Sequence, residues 1–258
     1  MSALTRTVRK LRWSLIHRGT RQTLQLPLQR LRESPGPRIA QLRHPFDDRY
    51  GTETSGVIGG VTLASAHPNS LHATAYHGVP PSRLHVILES WRATPPALPL
   101  TQYTFLDLGC GKGRAIMLAS QLPFRECIGV ELNADLAAVA AANLKTFQRT
   151  GAPLSPSRIV HGDAATFALP MGPCLLFLYN PFSTRVAAQL LGHLQRSLAA
   201  APRPLDVLYF TPHAHALFCS HPQVELLWQR PVAISPEEAA AEPVRDVEDL
   251  CAAYRFRS

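Results

Sequence analysis

From Leu100 onward, short apolar runs alternate with stretches in which apolar residues recur every three or four positions. A run that is apolar at nearly every position fits a strand covered on both faces, and three-to-four spacing fits a helix packed on one side. The runs Tyr103–Leu108, Glu126–Glu131, Ser157–His161, Cys174–Tyr179 and Leu205–Thr211 therefore predict five strands. Between them, Arg114–Ser120, Ala134–Phe147 and Thr184–Ala199 predict helices. The second would turn Leu136, Val139, Leu144 and Phe147 inward, and the third Val186, Leu190, Leu194 and Leu198. Short apolar runs alternating with helical periods are the pattern of an α/β fold, a parallel sheet with crossover helices. The pattern then changes. Val224–Trp228 and Leu250–Phe256 read as two further strands divided by a loop rich in Pro and Glu, so the sheet is expected to close with an antiparallel pair. No internal repeat is visible.

The chain ahead of this core is less regular. Residues 46–100 are rich in Gly, Pro, Thr, Ser and His, and the run from Phe46 to Gly56 reads as an irregular polar segment. One helix is expected after Pro80-Pro81, with Ser82 as its N-cap and Leu84, Ile87, Leu88 and Trp91 on one face. Such a segment is a preface or lid to a core domain, not a fold of its own. Asp47–Gly56 and Tyr76-His77 are the parts expected to act as a lid. The first 45 residues carry only loosely helical apolar spacing, interrupted by Pro27. The expected division is thus a basic arm over 1–45, a preface with one helix over 46–100 and a ligand-binding domain over 101–258.

With 258 residues, 46% of them hydrophobic, the chain can bury one substantial core. No stretch approaches the roughly 18 apolar residues that a membrane-spanning helix needs, so a soluble protein without a transmembrane segment is expected. The five cysteines, at 110, 127, 174, 219 and 251, form no C-x-x-C and no close pair. Neither zinc nor a disulfide framework is indicated, and a reducing cytoplasm fits. The net charge of +8 sits almost wholly at one end: residues 1–45 hold ten Lys or Arg against Glu33, while the rest of the chain is close to neutral. Three readings of the arm stay open: a solvated extension docked on its own domain, a helix for nucleic acid or an acidic membrane surface, and an organellar presequence. No apolar stretch follows the charges as a secretory signal would require.

Candidate chemistry is densest at Phe105-Leu106-Asp107-Leu108-Gly109-Cys110-Gly111-Lys112-Gly113-Arg114. An apolar strand runs into three alternating glycines and then a helix, so backbone can approach a ligand closely and helix amides can face an anionic group. A nicotinamide dinucleotide site would end its G-x-G-x-x-G pattern on Gly or Ala. Here the last position is Arg114 counted from Gly109, and Ile116 counted from Gly111. The phosphate-binding G-x-x-x-x-G-K-[ST] pattern fails as well, in glycine spacing and in the residue after Lys112.

Asp107, Gly109, Gly111 and Gly113 resemble the first motif of the class I S-adenosylmethionine-dependent methyltransferases, an acidic residue followed by x-G-x-G-x-G at the end of the first strand. The resemblance covers roughly Tyr103 to Phe256. It points to bacterial members with some likeness to non-SET protein-lysine methyltransferases, in which similar segments precede the core. It implies a Rossmann-like, doubly wound, mostly parallel seven-stranded sheet and S-adenosylmethionine as cofactor. Glu131, closing Ile128-Gly129-Val130-Glu131, stands where the family uses an acid for the ribose hydroxyls, with Leu132 beside it. Asp163 and Ala164 follow the third strand, where the family places an Asp beside the adenine amino group. Tyr179-Asn180-Pro181-Phe182 follows the fourth, at the family's active-site motif. The implied cofactor contacts are Asp107, Gly109, Cys110, Gly111, Gly113, Glu131, Leu132, Asp163, Ala164 and Asn180, and the implied catalytic residues Tyr179, Asn180, Pro181 and Phe182. Many members that act on amino or amide nitrogens carry two prolines in this motif, and this chain has only Pro181, a departure that weakens any transfer of a nucleobase role. The parts still suit an amine, since the Asn180 carbonyl can accept its N–H and Phe182 offers an apolar wall.

Each match alone has a bland alternative. The glycines can form a tight turn, Glu131 a helix-capping acid near Asn133, Asp163 an N-cap, and Asn180-Pro181 a strand stop. Taken together they converge, because four successive strand ends meet at the edge where open α/β sheets bind ligands. His161, His213 and His215 have no third ligand at suitable spacing, so no metal is expected. The expected activity is methyl transfer, with a protein lysine or another amine as first acceptor class, nucleic acid as second and a small molecule as third. The rival reading is a non-catalytic scaffold that keeps the cofactor loop.

Overall fold

The computed structural model describes residues 43–95, 98–241 and 248–257. Most of the basic arm lies outside the described residues. The elements are α1 (Pro45–Tyr50), β1 (Val57–Ile58), α2 (Gly60–Leu63), β2 (Tyr76–His77), α3 (Pro81–Arg92), β3 (Thr104–Leu108), α4 (Arg114–Ser120), β4 (Glu126–Glu131), α5 (Ala134–Thr150), β5 (Ser157–His161), β6 (Cys174–Tyr179), α6 (Thr184–Ala200), β7 (Leu205–Phe210), α7 (His215–Cys219), β8 (Val224–Ala233), α8 (Pro236–Ala239) and β9 (Glu248–Phe256).

Seven strands form one sheet in the order β5-β4-β3-β6-β7-β9-β8, with β3 to β7 parallel and β9 antiparallel to both of its neighbours. Chain order reverses direction between β3 and β6. That reversal opens a crevice beyond the C-terminal ends of the two strands, where ligands of such sheets bind. The expected α/β architecture, seven strands with an antiparallel closure, is therefore present.

Alternate residues of each strand feed opposite faces of the sheet. Phe105, Cys127, Leu175, Phe177, Leu208 and Phe210 pack with Leu84, Ile87 and Trp91 of α3, Ile116 of α4, and Leu144 and Phe147 of α5. Leu106, Ile128, Leu176, Val207 and Tyr209 pack with Val186, Leu190 and Leu194 of α6 and Phe218 of α7. Covering both faces is why these strands read as unbroken apolar runs. A charged residue of β7 is buried with these side chains. Asp206 on β7 accepts from Trp91 Nε1 (2.7 Å) and from Arg255 Nε and Nη2 (2.8 Å each), so the buried carboxylate is paired and hydrogen-bonded.

Several expectations need correction. Residues 46–100 contain α1 and α2 besides the expected helix, and β1 and β2 pair antiparallel into a small second sheet. Pro80, not Ser82, is the N-cap of α3; the Ser82 amide and hydroxyl are instead held by the Glu238 carboxylate. On α5 the buried stripe is Leu136, Ala137, Ala140, Asn143, Leu144 and Phe147, with Val139 half-buried beside it. Strand β8 continues five residues past Trp228. As an edge strand it tolerates Gln229, Arg230 and Pro231, which broke the apolar pattern in the sequence.

Candidate functional site

The glycine loop follows β3 and leads into α4. Its first amides turn inward: Gly109 and Cys110 N–H donate to the Val130 carbonyl (2.8 and 3.1 Å), and Gly111 N–H donates to Glu131 Oε2 (2.8 Å). The sequence-level picture of amides free to cradle an anion does not hold for these three. Gly109 and Gly111 adopt φ of +90° and +54°, in the left-handed region. A Cβ on Gly109 would collide with the Pro181 ring, and one on Gly111 with the Tyr76 ring. Glycine is therefore needed twice over, for conformation and for close approach.

Two carboxylates flank the loop. Glu131, at the end of β4, accepts from Gly111 N–H through Oε2 and from Asn133 N–H (2.8 Å) through Oε1. Burial raises its carboxyl above the usual range, partly offset by these amides. Asp107, on β3, is 3% exposed, and among the described residues no group donates a hydrogen bond to its carboxylate. Burial, and after it the neighbouring Glu131, pushes this carboxyl well above its ordinary value. Cys110 is buried against Gly129, with its thiol raised well above the ordinary value by burial first and then by Asp107 and Glu131. It fills space and is no nucleophile.

These groups line a cleft that opens to solvent. Of the expected cofactor residues, Asp107, Gly109, Cys110, Gly111, Glu131, Leu132, Asp163 and Ala164 line it, as do Tyr179, Pro181 and Phe182. Gly113 and Asn180 do not. Gly113 is the N-cap of α4, and Asn180 faces a neighbouring cavity. Asn180 also has φ of +38°, and its Oδ1 is buried without a hydrogen-bond partner, while Nδ2 meets His213 Nδ1 at 2.9 Å.

Residues 43–79 build the other wall. In the Asp47–Gly56 run, the Asp47 carboxylate accepts from the hydroxyls of Thr52 (2.7 Å), Thr54 (2.7 Å) and Ser55 and from the amides of Thr54 and Ser55. This knot buttresses the glycine loop from behind. Lys112 Nζ reaches Glu53 Oε1 and the Ser55 carbonyl (3.2 Å each), and Arg114 Nε donates to Thr54 Oγ1 (2.7 Å). The run is thus a bracket more than a lid. The strap from Asn69 to Val79 does cover the cleft. Asn69 Nδ2 donates to Asp163 Oδ2 (2.9 Å), Tyr76 lies over Gly111 with its hydroxyl on the Thr54 carbonyl (2.6 Å), and His77 Nδ1 lies 3.2 Å from the Tyr179 hydroxyl. Thr74 joins the strap to the β6 exit, its hydroxyl on the Asn180 carbonyl (2.6 Å) and its amide on the Pro181 carbonyl (3.2 Å). Asn69 and Thr74 escaped the sequence reading, because nothing local marks a contact made across about a hundred residues.

Among the described residues no group of three His, Cys, Asp or Glu side chains could hold a metal ion, and no helix is long and apolar enough to cross a membrane. No family model matches the chain, and no curated protein matches it. Solved structures similar to it include the tRNA m1G37 methyltransferase of M. jannaschii, with 12% identity and a TM-score of 0.43 over 68% of this chain and 48% of that one. TrmN from Thermus thermophilus gives 17% and 0.46 over 68% and 48%. The magnesium protoporphyrin IX methyltransferase of Synechocystis, solved with bound S-adenosylhomocysteine, gives 13% and 0.45 over 69% and 83%. The chain spans about half the length of the first two. None of the three supports the expected likeness to protein-lysine methyltransferases.

Proposed function

We propose that the chain is an S-adenosylmethionine-dependent methyltransferase acting on a nitrogen acceptor. The observation that carries this reading is the pair of buried carboxylates beside the glycine loop, one of them, Asp107, with no donor among the described residues. A buried carboxylate in this state favours a cationic, hydrogen-bond-donating ligand and repels phosphate. The inward-turned loop amides argue against a pyrophosphate for the same reason. S-adenosylmethionine combines an ammonium group, a sulfonium and two ribose hydroxyls with no phosphate, and the residues present fit it. Asp107 is suited to the cationic end. Each Glu131 oxygen accepts one amide and retains a lone pair for a ribose hydroxyl. Leu132, Leu136 and Ala164 offer apolar surface to the base, and Asp163 an acceptor to its amino group.

When bound, the cofactor supplies a methyl group already activated by the positive charge on sulfur. The protein's share is then orientation and exclusion of water. Tyr179, Pro181 and Phe182 form the wall at the end of β6, and Thr74 to Tyr76 cover the cleft from above. An amine nitrogen entering this apolar surround is held unprotonated by desolvation, so no dedicated base is required. Asn180, at the β6 exit and with a strained backbone, is assigned to positioning the acceptor's N–H. A protein lysine or another amine is the first acceptor class and nucleic acid the second, the latter favoured by the +9 charge of residues 1–45.

Calorimetric titration with S-adenosylhomocysteine should show binding, and Glu131→Ala should weaken it by about 1 to 3 kcal/mol, the loss for hydrogen bonds to a charged group. Absence of binding would refute the reading. Incubation with radiolabelled methyl donor and separate protein, RNA, DNA and metabolite fractions should then identify the acceptor. With that acceptor, Asn180→Ala should lower single-turnover methyl transfer tenfold or more, about 1.4 kcal/mol of barrier for each factor of ten. Cofactor affinity should change much less. Equal losses in binding and transfer would place Asn180 with the cofactor instead.

A further inference from the structure

A short antiparallel ladder joins the strap to the β6 exit. Thr74 N–H donates to the Pro181 carbonyl (3.2 Å), Ser183 N–H donates to the His72 carbonyl (2.9 Å), and Ala73 pairs with Phe182 between them. His72 closes this ladder with its side chain, Nδ1 lying 2.9 Å from the Ser183 hydroxyl. The charged or titratable groups that face the same space are Arg185 of α6 and His213 of the turn after β7, and no carboxylate lines it. Burial, and after it Arg185, lowers the half-buried His72 from its ordinary 6.5. Two further histidines, His67 and His77, flank it at intervals of five residues, and their surroundings differ. His67 Nε2 lies 3.9 Å from Asp163 Oδ2, where a proton adds an attraction. His77 Nδ1 lies 3.2 Å from the Tyr179 hydroxyl, which donates to a neutral ring and accepts from a protonated one.

We propose that His72 is a pH-sensitive latch, whose protonation releases the strap from the β6 exit and speeds exchange of the ligand held in the cleft. The identity of that ligand rests on the methyltransferase reading; the latch itself does not. A neutral imidazole accepts the Ser183 hydroxyl and brings no charge. A protonated one sits half-buried beside a permanent cation with no carboxylate to meet it, so water stabilises the charged form better than the docked strap does. His213 faces the same space with Nδ1 2.9 Å from Asn180 Nδ2, and supplies no negative charge to offset the proton. Because the ring takes up its proton less readily docked than free, docking is at full strength above about pH 6.5 and weakens as pH falls below it. Only two backbone hydrogen bonds hold the ladder, so the charge on one side chain weighs on its equilibrium. Release reaches the cleft through the strap's own residues. Asn69 donates to Asp163, the Thr74 hydroxyl holds the Asn180 carbonyl, and Tyr76 rests over Gly111. A freed strap therefore uncovers the glycine loop and the carboxylate assigned to the adenine amino group together.

The test follows the Thr74 and Ser183 amides of the full chain by hydrogen exchange, from about pH 7.5 down to about pH 5.5, with rates corrected for the intrinsic effect of pH. Protection of both amides should fall about threefold or more over that range, while the amides of β4 stay protected. His72→Asn keeps a hydrogen-bonding group opposite Ser183 and carries no titrating proton, so its protection should be independent of pH. His67→Asn should respond as the wild type does. Protection of β4 in each variant reports an intact fold. The dissociation rate of S-adenosylhomocysteine should rise in step with lost protection in the wild type and in His67→Asn, and stay level in His72→Asn. Unchanged protection in the wild type, or a fall that persists in His72→Asn, would overturn the latch. Lost protection with a level dissociation rate would overturn its coupling to the cleft. Failure of S-adenosylhomocysteine to bind at about pH 7.5 would instead overturn the methyltransferase reading, while hydrogen exchange still decides the latch, so the two failures are distinguishable.

Discussion

Gly111 is the residue on which the loop, the strap and the carboxylates all depend. Its amide holds Glu131, its φ is left-handed, and the Tyr76 ring rests on its Cα. The ring has little room to retreat, since its hydroxyl is tied to the Thr54 carbonyl and its face carries Lys112 Nζ at 5.5 Å. Gly111→Ala should therefore cost about 1 to 2 kcal/mol from the left-handed backbone alone. A further loss should come from displacing the strap. Thermal unfolding should report the first part, and weakened S-adenosylhomocysteine binding the second. Tyr76→Ala in the same chain should recover the steric part but not the backbone part, so the two losses should fail to add. Strict additivity would show that the ring does not press on the loop.

At the scale of elements, the bracket formed by α1 and the loop after it rests on Asp47. Burial works to raise its carboxyl, but hydrogen bonds from Ser55, Thr54 and Thr52 outweigh it and hold the value down at about 2, against an ordinary 3.8. Because the folded value lies below the unfolded one, the stabilisation is present in full above about pH 4 and lost as pH falls toward 2. Its size is about 2 kcal/mol, from 1.36 kcal/mol for each unit. Asp47→Asn should be less stable than wild type by that amount in denaturant at pH 7, and the gap should close by pH 2. A gap independent of pH would mean that packing, not charge, holds the bracket. In the sequence this run read as irregular and polar, because a buried network whose members satisfy one another has the composition of a loop. The strands β4 and β6 were legible to the residue, since covering both faces leaves an apolar signature bounded by turns, and the edge strand β5 was legible from its short Ile159-Val160 pair between turn residues. The cleft was legible for the same reason at its strand ends, where Asp107, Glu131 and Asp163 sit in fixed order. Its opposite wall was not, because Asn69, Thr74 and Tyr76 act only through partners remote in sequence.

For the molecule as a whole, charge is concentrated in one part of the sequence: residues 1–45 carry +9, nearly all of it outside the described residues, while Asp107, Glu131 and Asp163 line the cleft. If that charge recruits a polyanion, removing residues 1–42 should lower RNA affinity and flatten its dependence on salt, because fewer counterions are released. S-adenosylhomocysteine affinity should be unchanged. Equal salt slopes for full and shortened chains would leave the arm without a part in recruitment. The sheet's connectivity matters in another way, for the order in which the chain can assemble. Strand β9 lies between β7 and β8, yet β8 precedes it in sequence and, among the described residues, pairs with no other strand. Until residues 248–256 arrive, the backbone edge of β7 is open and the ten residues of β8 have no ladder to join. A chain emerging from the ribosome therefore holds two unsatisfied strand edges at once, with Leu226 and Trp228 on one of them. Unpaired edges of this kind template association between chains. The interval between synthesis of β8 and of β9 is when this protein most needs a chaperone.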